Sequence, residues 1–252
     1  MRAALSIGLS GATDARAIRA LAPRIERLGF SGLWLNDVPN GDSLAGLRIA
    51  AADTGTLRLA TGVIPLDRRP AEGLDLGALP AERTTLGIGS GAARHPLGLV
   101  ERGIATLRRS TEAAIVVGAL GPRMRRLAAT RADGVLFNWL TPAAAARAHA
   151  ELRATAGDRP VRSVLYVRTI TDERARSALE READRYAAVP SYASNFDRLG
   201  IRAIDATLNG PSGLLAFDVV DEIVLRAVTP SGSLAELERF VEDAAGWRME
   251  AA

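Results

Sequence analysis

The feature that most constrains the fold is an alternation running from one end of the chain to the other. Short apolar runs of strand length are each followed by Ala-, Leu- and Arg-rich stretches of helical period. The strand candidates are Ala3–Leu9, Gly32–Asn36, Arg58–Ile64, Thr84–Ile88, Ala114–Ala119, Gly134–Asn138, Ser163–Arg168 and Glu222–Ala227. The helical stretches span about Asp14–Leu28, Ser43–Asp53, Ala71–Leu79, Leu97–Arg109, Pro122–Arg131, Pro142–Thr155, Asp172–Arg198 and Leu234–Ala245. Asp172 and Ser233 read as N-caps, and Thr141 before Pro142 is a cap-then-proline start. The strands are mostly continuous apolar runs, as parallel strands buried on both faces require. Eight evenly spaced β-then-α units in 252 residues, with no linker, predict a single domain over residues 1–252. The expected class is α/β, a (β/α)8 TIM barrel, preferred over a doubly wound sheet. In such barrels the chemistry sits at the C-terminal ends of the strands.

Composition removes several kinds of chemistry. There is no cysteine, hence no disulfide, thiolate nucleophile or cysteine metal site. All 32 basic residues are arginine, which excludes a Schiff base and a P-loop. The two histidines, His95 and His149, form no metal-ligand cluster, so no metal is expected. Net charge is only +3 with arginines and acids interspersed, and aromatics are 4%, which speaks against a nucleic-acid surface. No apolar run approaches the ~20 residues of a membrane span. The start, MRAALSIGLS, reads as a first strand rather than a signal peptide, and a cytoplasmic protein is expected.

The strand ends carry the candidate site. TTLGIGSGAARHP breaks an apolar run with Gly87, Gly89 and Gly91. A dinucleotide fingerprint needs G-x-G-x-x-G at the first βα turn and an acid ending the next strand. Here the order is G-x-G-x-G in the fourth unit, and the next strand ends in VVGALG without an acid. Small residues needed for packing are one reading; the preferred one is that a flat ligand approaches the backbone, with Ser90 as a donor. GLWLNDVP puts Asn36 and Asp37 at the end of strand two, for a ligand ring or, for Asp37, a turn. In LATGVIPLDRRP, Gly62 marks a bulge and Pro65 turns the chain out of the strand. Gly121-Pro122 opens a helix with Arg123 next, an arrangement suited to a phosphate. GVLFNWLTP ends strand six with Asn138 and Trp139. Trp139 is either core or a stacking wall. Pro190 interrupts a long helical region whose aromatics Tyr186, Tyr192 and Phe196 either line a pocket or pack. His149, on an alanine-rich helix, reads as a surface residue, whereas His95 stands by the glycine loop.

Taken in order, GFSGLWLND, RLATGVIPLDRRP, RTTLGIGSG, GALGPRMRRLAATRADGVLFNWLTP and YAAVPSYASNFDRLG resemble the bacterial luciferase-like superfamily of flavin- and deazaflavin-dependent oxidoreductases. Members that use the deazaflavin coenzyme F420 look most similar. The resemblance implies a ring lying over the C-terminal strand ends, with Asp37 near its edge. It implies a non-prolyl cis peptide at Gly62–Val63 behind the ring and a contact from Ser90, beside Gly91. It also implies a phosphate loop at Gly121, Pro122 and Arg123, with F420 as cofactor or FMN as the alternative. The chain departs from the deazaflavin sugar-phosphate dehydrogenases of this superfamily. Val38 stands where they carry a histidine, and Ala92 where they carry a glutamate. Sugar oxidation by their mechanism is therefore not expected. Only GAARHPLG separates strand four from its helix, so the lid is short, and a site that must exclude water is put in doubt.

The expected activity is hydride transfer between F420 or FMN and a small organic substrate, with His95 or Tyr192 as the candidate proton donor. The alternatives are an FMN-dependent luciferase-like monooxygenase, a cofactor-binding barrel without turnover, and a barrel scaffold with no cofactor. A homodimer is compatible with the apolar helices.

Overall fold

The computed structural model describes residues 1–250. In chain order the elements are β1 (Ala4–Ser10), α1 (Ala15–Arg27), β2 (Gly32–Asn36), α2 (Ser43–Asp53), β3 (Arg58–Thr61), β4 (Ile64–Pro65), β5 (Thr84–Gly89), α3 (Pro96–Ser110) and β6 (Ala114–Gly118). There follow α4 (Pro122–Arg131), β7 (Gly134–Asn138), α5 (Pro142–Ala156), β8 (Arg162–Ile170), α6 (Arg176–Ala187), α7 (Pro190–Leu199), β9 (Thr207–Asn209), β10 (Glu222–Ala227) and α8 (Leu234–Glu250). The ladders are parallel, and β10 pairs with both β1 and β8, so the sheet closes on itself. The ring of staves is β1-β2-β3-β5-β6-β7-β8-β10, the (β/α)8 barrel that the alternation predicts.

Period-two alternation sorts the stave residues. Leu33, Ile88, Val117, Phe137, Val167 and Leu225 face the helices and have no exposed surface. The alternate set, including Trp34, Ala60, Val116, Leu136, Val164 and Val224, fills the lumen as a separate cluster. Glu222 closes the lower end of the lumen. Its buried carboxylate accepts from Ser6 Oγ and Trp34 Nε1 and pairs with Arg162 at 3.0 Å, so its charge is matched.

Helix starts follow the capping chemistry. Asp14 accepts from the Ala17 amide at 2.8 Å, Thr141 from the Ala144 amide at 3.4 Å, and Asp172 from the Arg174 amide at 2.9 Å.

Four expectations need correction. Ala71–Leu79 is not a helix: only Ala71–Gly73 forms a 3-10 turn, and Gly73, Gly77 and Pro80 interrupt any longer one. The third strand is cut in two, β3 and β4, by the bulge at Gly62–Val63. The stretch Asp172–Arg198 is a 3-10 turn at Glu173–Ala175, then α6, then α7 opened by Pro190. His149 is half-buried on α5, with Nδ1 2.8 Å from Ser163 Oγ, whose hydroxyl meets Asp221 at 2.8 Å. The excursion after β8 also contains β9, paired to the overhanging end of β8, and 3-10 turns at Ala203–Ala206 and Pro211–Phe217. Among the described residues no helix is long and apolar enough to cross a membrane.

Candidate cofactor site at the barrel mouth

The floor of the mouth is the Gly62–Val63 bulge, whose peptide bond is cis and involves no proline. The Val63 side chain lies over the glycines of the neighbouring staves. A Cβ added at Gly89 would stand 2.8 Å from Val63 Cγ2, and one at Gly118 3.1 Å from Val63 Cγ1. At Gly87 it would meet the Thr61 carbonyl oxygen at 1.8 Å. What approaches Gly87 and Gly89 is therefore the chain's own bulge and not the flat ligand expected from the sequence, and packing is the reason for them. Thr61 locks the contact: its hydroxyl donates to the Gly87 carbonyl at 2.9 Å and accepts from the Gly87 amide at 2.8 Å. Gly91 has φ +56° and backs onto Asp67, which accepts from the Ala92 amide at 2.9 Å. Ser90 is half-buried, and the nearest partner of its hydroxyl is 3.5 Å away, so the group is left for a ligand.

Asn36 and Asp37 end β2 on the rim. Asn36 Oδ1 is buried without a partner. The Asp37 side chain is only 1% exposed and is committed to the protein. It bonds Arg69, accepts from Ser43 Oγ at 3.0 Å, and lies 3.8 Å from Arg68. Arg69 also donates to Asp42, the N-cap of α2, at 2.9 Å. Burial works to lower the Arg69 pKa, but the Asp37 charge and both hydrogen bonds raise it. Asp37 thus braces the loop after β4.

Beside the floor runs a groove of about 540 Å3 between the starts of α3 and α4, lined by Arg94, His95, Leu97, Gly121, Arg123 and Met124 among others. Both helices begin with proline, and neither has a side chain capping its first turn. Their free N–H groups and positive dipole ends make this an anion-binding wall. Arg94 and Arg123 add charge, and neither has an acidic partner among the described residues.

The opposite rim is crowded. Trp139, at φ +54° just past β7, is fully buried against Tyr186 and Phe196, ring centroids 5.1 and 6.0 Å apart. Its ring is core rather than an open stacking wall. The Arg168 guanidinium sits 4.2 Å from the Trp139 ring centroid and 4.8 Å from that of Tyr186. It donates to Glu182 at 3.0 Å and to Asn138 Oδ1. Burial works against the charge of Glu182, but the charges of Arg226 and Arg168 outweigh it and hold its pKa below the ordinary value. Tyr192 packs on Tyr186 with its hydroxyl against the Asn138 side chain, and burial pushes its pKa up to about 12.

The two candidate proton donors are thereby separated: His95 lines the groove and Tyr192 the crowded rim. Asn36, Gly62, Val63 and Ser90 surround the floor, Gly121, Pro122 and Arg123 lie on the groove, and Asn138 is on the far rim. Arg168, Arg226, Tyr166 and Glu182 were not picked out from the sequence. The signal for two of them was present: in SVLYVRT and EIVLRA a charged residue takes an inward position at the C-terminal end of an apolar barrel strand.

A flavin or deazaflavin fits this donor set. Asn36 Oδ1, buried and unsatisfied, calls for a donor such as a ring N–H, and the uncapped helix starts with Arg123 suit a phosphate. The architecture is that of a (β/α)8 barrel with its candidate ligand site at the C-terminal mouth. The sequence profile of the family described as luciferase-like monooxygenase matches residues 3–113 and 99–237, and the chain belongs to that family. No curated protein matches it in sequence. Among solved structures it is similar to an F420-dependent secondary alcohol dehydrogenase in complex with an F420-acetone adduct. The TM-score is 0.71 at 13% identity, covering 96% of this chain and 99% of that one. It is also similar to monooxygenase RslO1 from Streptomyces bottropensis, TM-score 0.72, 17% identity, covering 98% and 99%. A third is the riboflavin lyase RcaE with modified FMN and riboflavin, TM-score 0.64, 11% identity, covering 100% and 93%.

Proposed function

We propose that the protein is an oxidoreductase that moves a hydride between coenzyme F420, or alternatively FMN, and a small organic substrate. The observation that carries this reading is the groove: two uncapped helix starts and two unpaired arginines converge beside the cis-peptide floor. The bound cofactor supplies the hydride chemistry. Arg123 and the first amides of α4 hold its phosphate, while Asn36 and Ser90 bind the polar edge of its ring.

On the far rim, hydrogen-bond polarity orients Tyr192. Arg168 has no acceptor, so Asn138 presents Oδ1 to it and donates through Nδ2 to the Tyr192 oxygen. The Tyr192 O–H is then left to donate to a ligand, and its raised pKa keeps it protonated. In this reading Tyr192 holds the proton and His95 belongs to the anion groove.

The second reading is an FMN-dependent monooxygenase, favoured by the family's own description and by the modified FMN of riboflavin lyase. The short connection Ser90–His95 weighs against it, because little covers the mouth.

The test is fluorescence titration with F420 and, separately, FMN. Saturable binding of one, weakened about tenfold or more in Arg123→Ala, is the expected result. Binding of neither by folded protein overturns the reading.

A further inference from the structure

The corner of the mouth formed by β1, β8 and β10 has an imbalance of charge. Along β10, Glu222 and Val224 point into the lumen, which places Arg226 at the rim two residues on. Arg226 is in register with Gly8 on β1 and Arg168 on β8. It is half-buried. Its one hydrogen bond goes to the carbonyl of its neighbour Ala227, and its remaining nitrogens reach solvent. Among the described residues no carboxylate lies within ion-pair distance of it. The nearby acid is Glu182, which already bonds Arg168 at 3.0 Å and has Arg185 at 4.0 Å. The one nearby carboxylate is thus already paired, and Arg226 lies outside its ion-pair distance.

The neutral groups at this corner are donors too. Tyr166 is 3% exposed, and its hydroxyl is buried with no acceptor. That hydroxyl occupies the space Gly8 leaves open: a Cβ on Gly8 would stand 2.8 Å from it. Burial pushes its pKa up to about 12 against the opposing charges of Arg226 and Arg168, so it remains a phenol and a donor. A half-buried cation outside ion-pair distance of any described carboxylate, above an orphaned hydroxyl, suits a ligand bringing negative charge on oxygen.

We propose that the substrate carries a carboxylate, anchored by Arg226 at the β1–β8–β10 corner of the mouth. The assignment rests on the reading that the mouth is the reaction site. Cationic substrates would be repelled, and neutral ones would leave the excess charge unmatched. Arg226 is a specificity-determining residue here, with Tyr166 the second donor below it.

The chain has three tyrosines, so labelling them with 13C at Cζ gives three resonances, assignable by Tyr→Phe variants. Acetate and benzoate are titrated at constant ionic strength, with acetamide and benzamide as neutral isosteres. The expected result is a saturable shift of the Tyr166 resonance with the carboxylates and none with the amides. Arg226→Gln should weaken the response at least tenfold, Arg226→Lys should retain part of it, and Arg147→Gln, on the exposed face of α5, should leave it unchanged. Equal response to the amides, undiminished binding in Arg226→Gln, or no saturable response in the wild type each overturns the proposal. If Arg226→Gln does not fold, the carboxylate–amide comparison and Arg226→Lys decide. Cofactor titration of the wild type is scored separately: its failure sinks the oxidoreductase reading, whereas loss of carboxylate selectivity alone sinks only the role of Arg226.

Discussion

The two halves of the barrel mouth are built on opposite principles. On the β3–β6 side the inward positions are glycines, and the space is taken by the chain's own bulge, with Val63 against Gly89 and Gly118. On the β7–β10 side the inward positions carry long side chains, and the space is taken by Arg168 inside a box of Trp139, Tyr186 and Tyr166. The first half derives the shape of its floor from backbone contact, and its charged groups stand back on the surrounding loops and helix starts. The second holds a buried cation whose cost is offset only while Glu182 and Asn138 stay in place. The glycine floor is therefore fixed by sterics, and the arginine half is fixed by electrostatics and sensitive to pH.

The comparison is broken most severely by Gly87→Ala. The new methyl would stand 1.8 Å from a backbone oxygen that cannot swing aside. A loss of at least about 3 kcal/mol in denaturant unfolding, or no folded protein, is expected. Next comes Glu182→Ala, which leaves Arg168, 4% exposed, without its counter-ion. It should cost about 3–5 kcal/mol, with loss of the near-UV signal of Trp139.

Acid should separate the halves. The folded pKa of Glu182 lies below the ordinary glutamate value of about 4.3, so its contribution is complete above that pH and disappears as pH falls through the lower folded value. Wild-type stability should drop more steeply below pH 4.5 than that of Glu182→Gln, while Gly89→Ala should follow the wild-type slope. At neutral pH Gly89→Ala meets only the Val63 methyl, at 2.8 Å, and should cost about 1–2 kcal/mol. Ser90→Ala, at a hydroxyl with no close partner, should change stability by less than about 0.5 kcal/mol and register only in cofactor titration.

Most of the barrel is legible in the sequence because burial on both faces writes itself as uninterrupted apolar runs. Gly32–Asn36, Gly134–Asn138 and Glu222–Ala227 have the bounds read from those runs. Local chemistry also marks the start of α4 at Gly121-Pro122 and the bulge at Gly62. The rest depends on contacts between distant segments. Nothing local says that the glycines of β5 face Val63, or that Asp37 is claimed by Arg69, 32 residues on. The pattern in Ala71–Leu79 contains enough leucine to read as helical, yet Gly73 and Gly77 deny it a continuous turn. The arginine half is not legible because a strand's sequence places Arg168 and Arg226 on it without saying which charged and aromatic partners the distant Trp139, Glu182 and Tyr186 bring to them.

The third stave, with no α-helix of its own, has a consequence for how the molecule breathes. Between Pro70 and Arg83 the backbone is held mainly by isolated turn bonds, such as Gly73 to Pro70 and Leu79 to Leu76. Its far end is moored where Arg83 grips the carbonyls of Ala51, Thr54 and Leu57. Such a segment opens at low free energy while the mooring stays shut. Hydrogen exchange should then find amides between Gly73 and Leu79 exchanging early, while the backbone beside Arg83 stays protected.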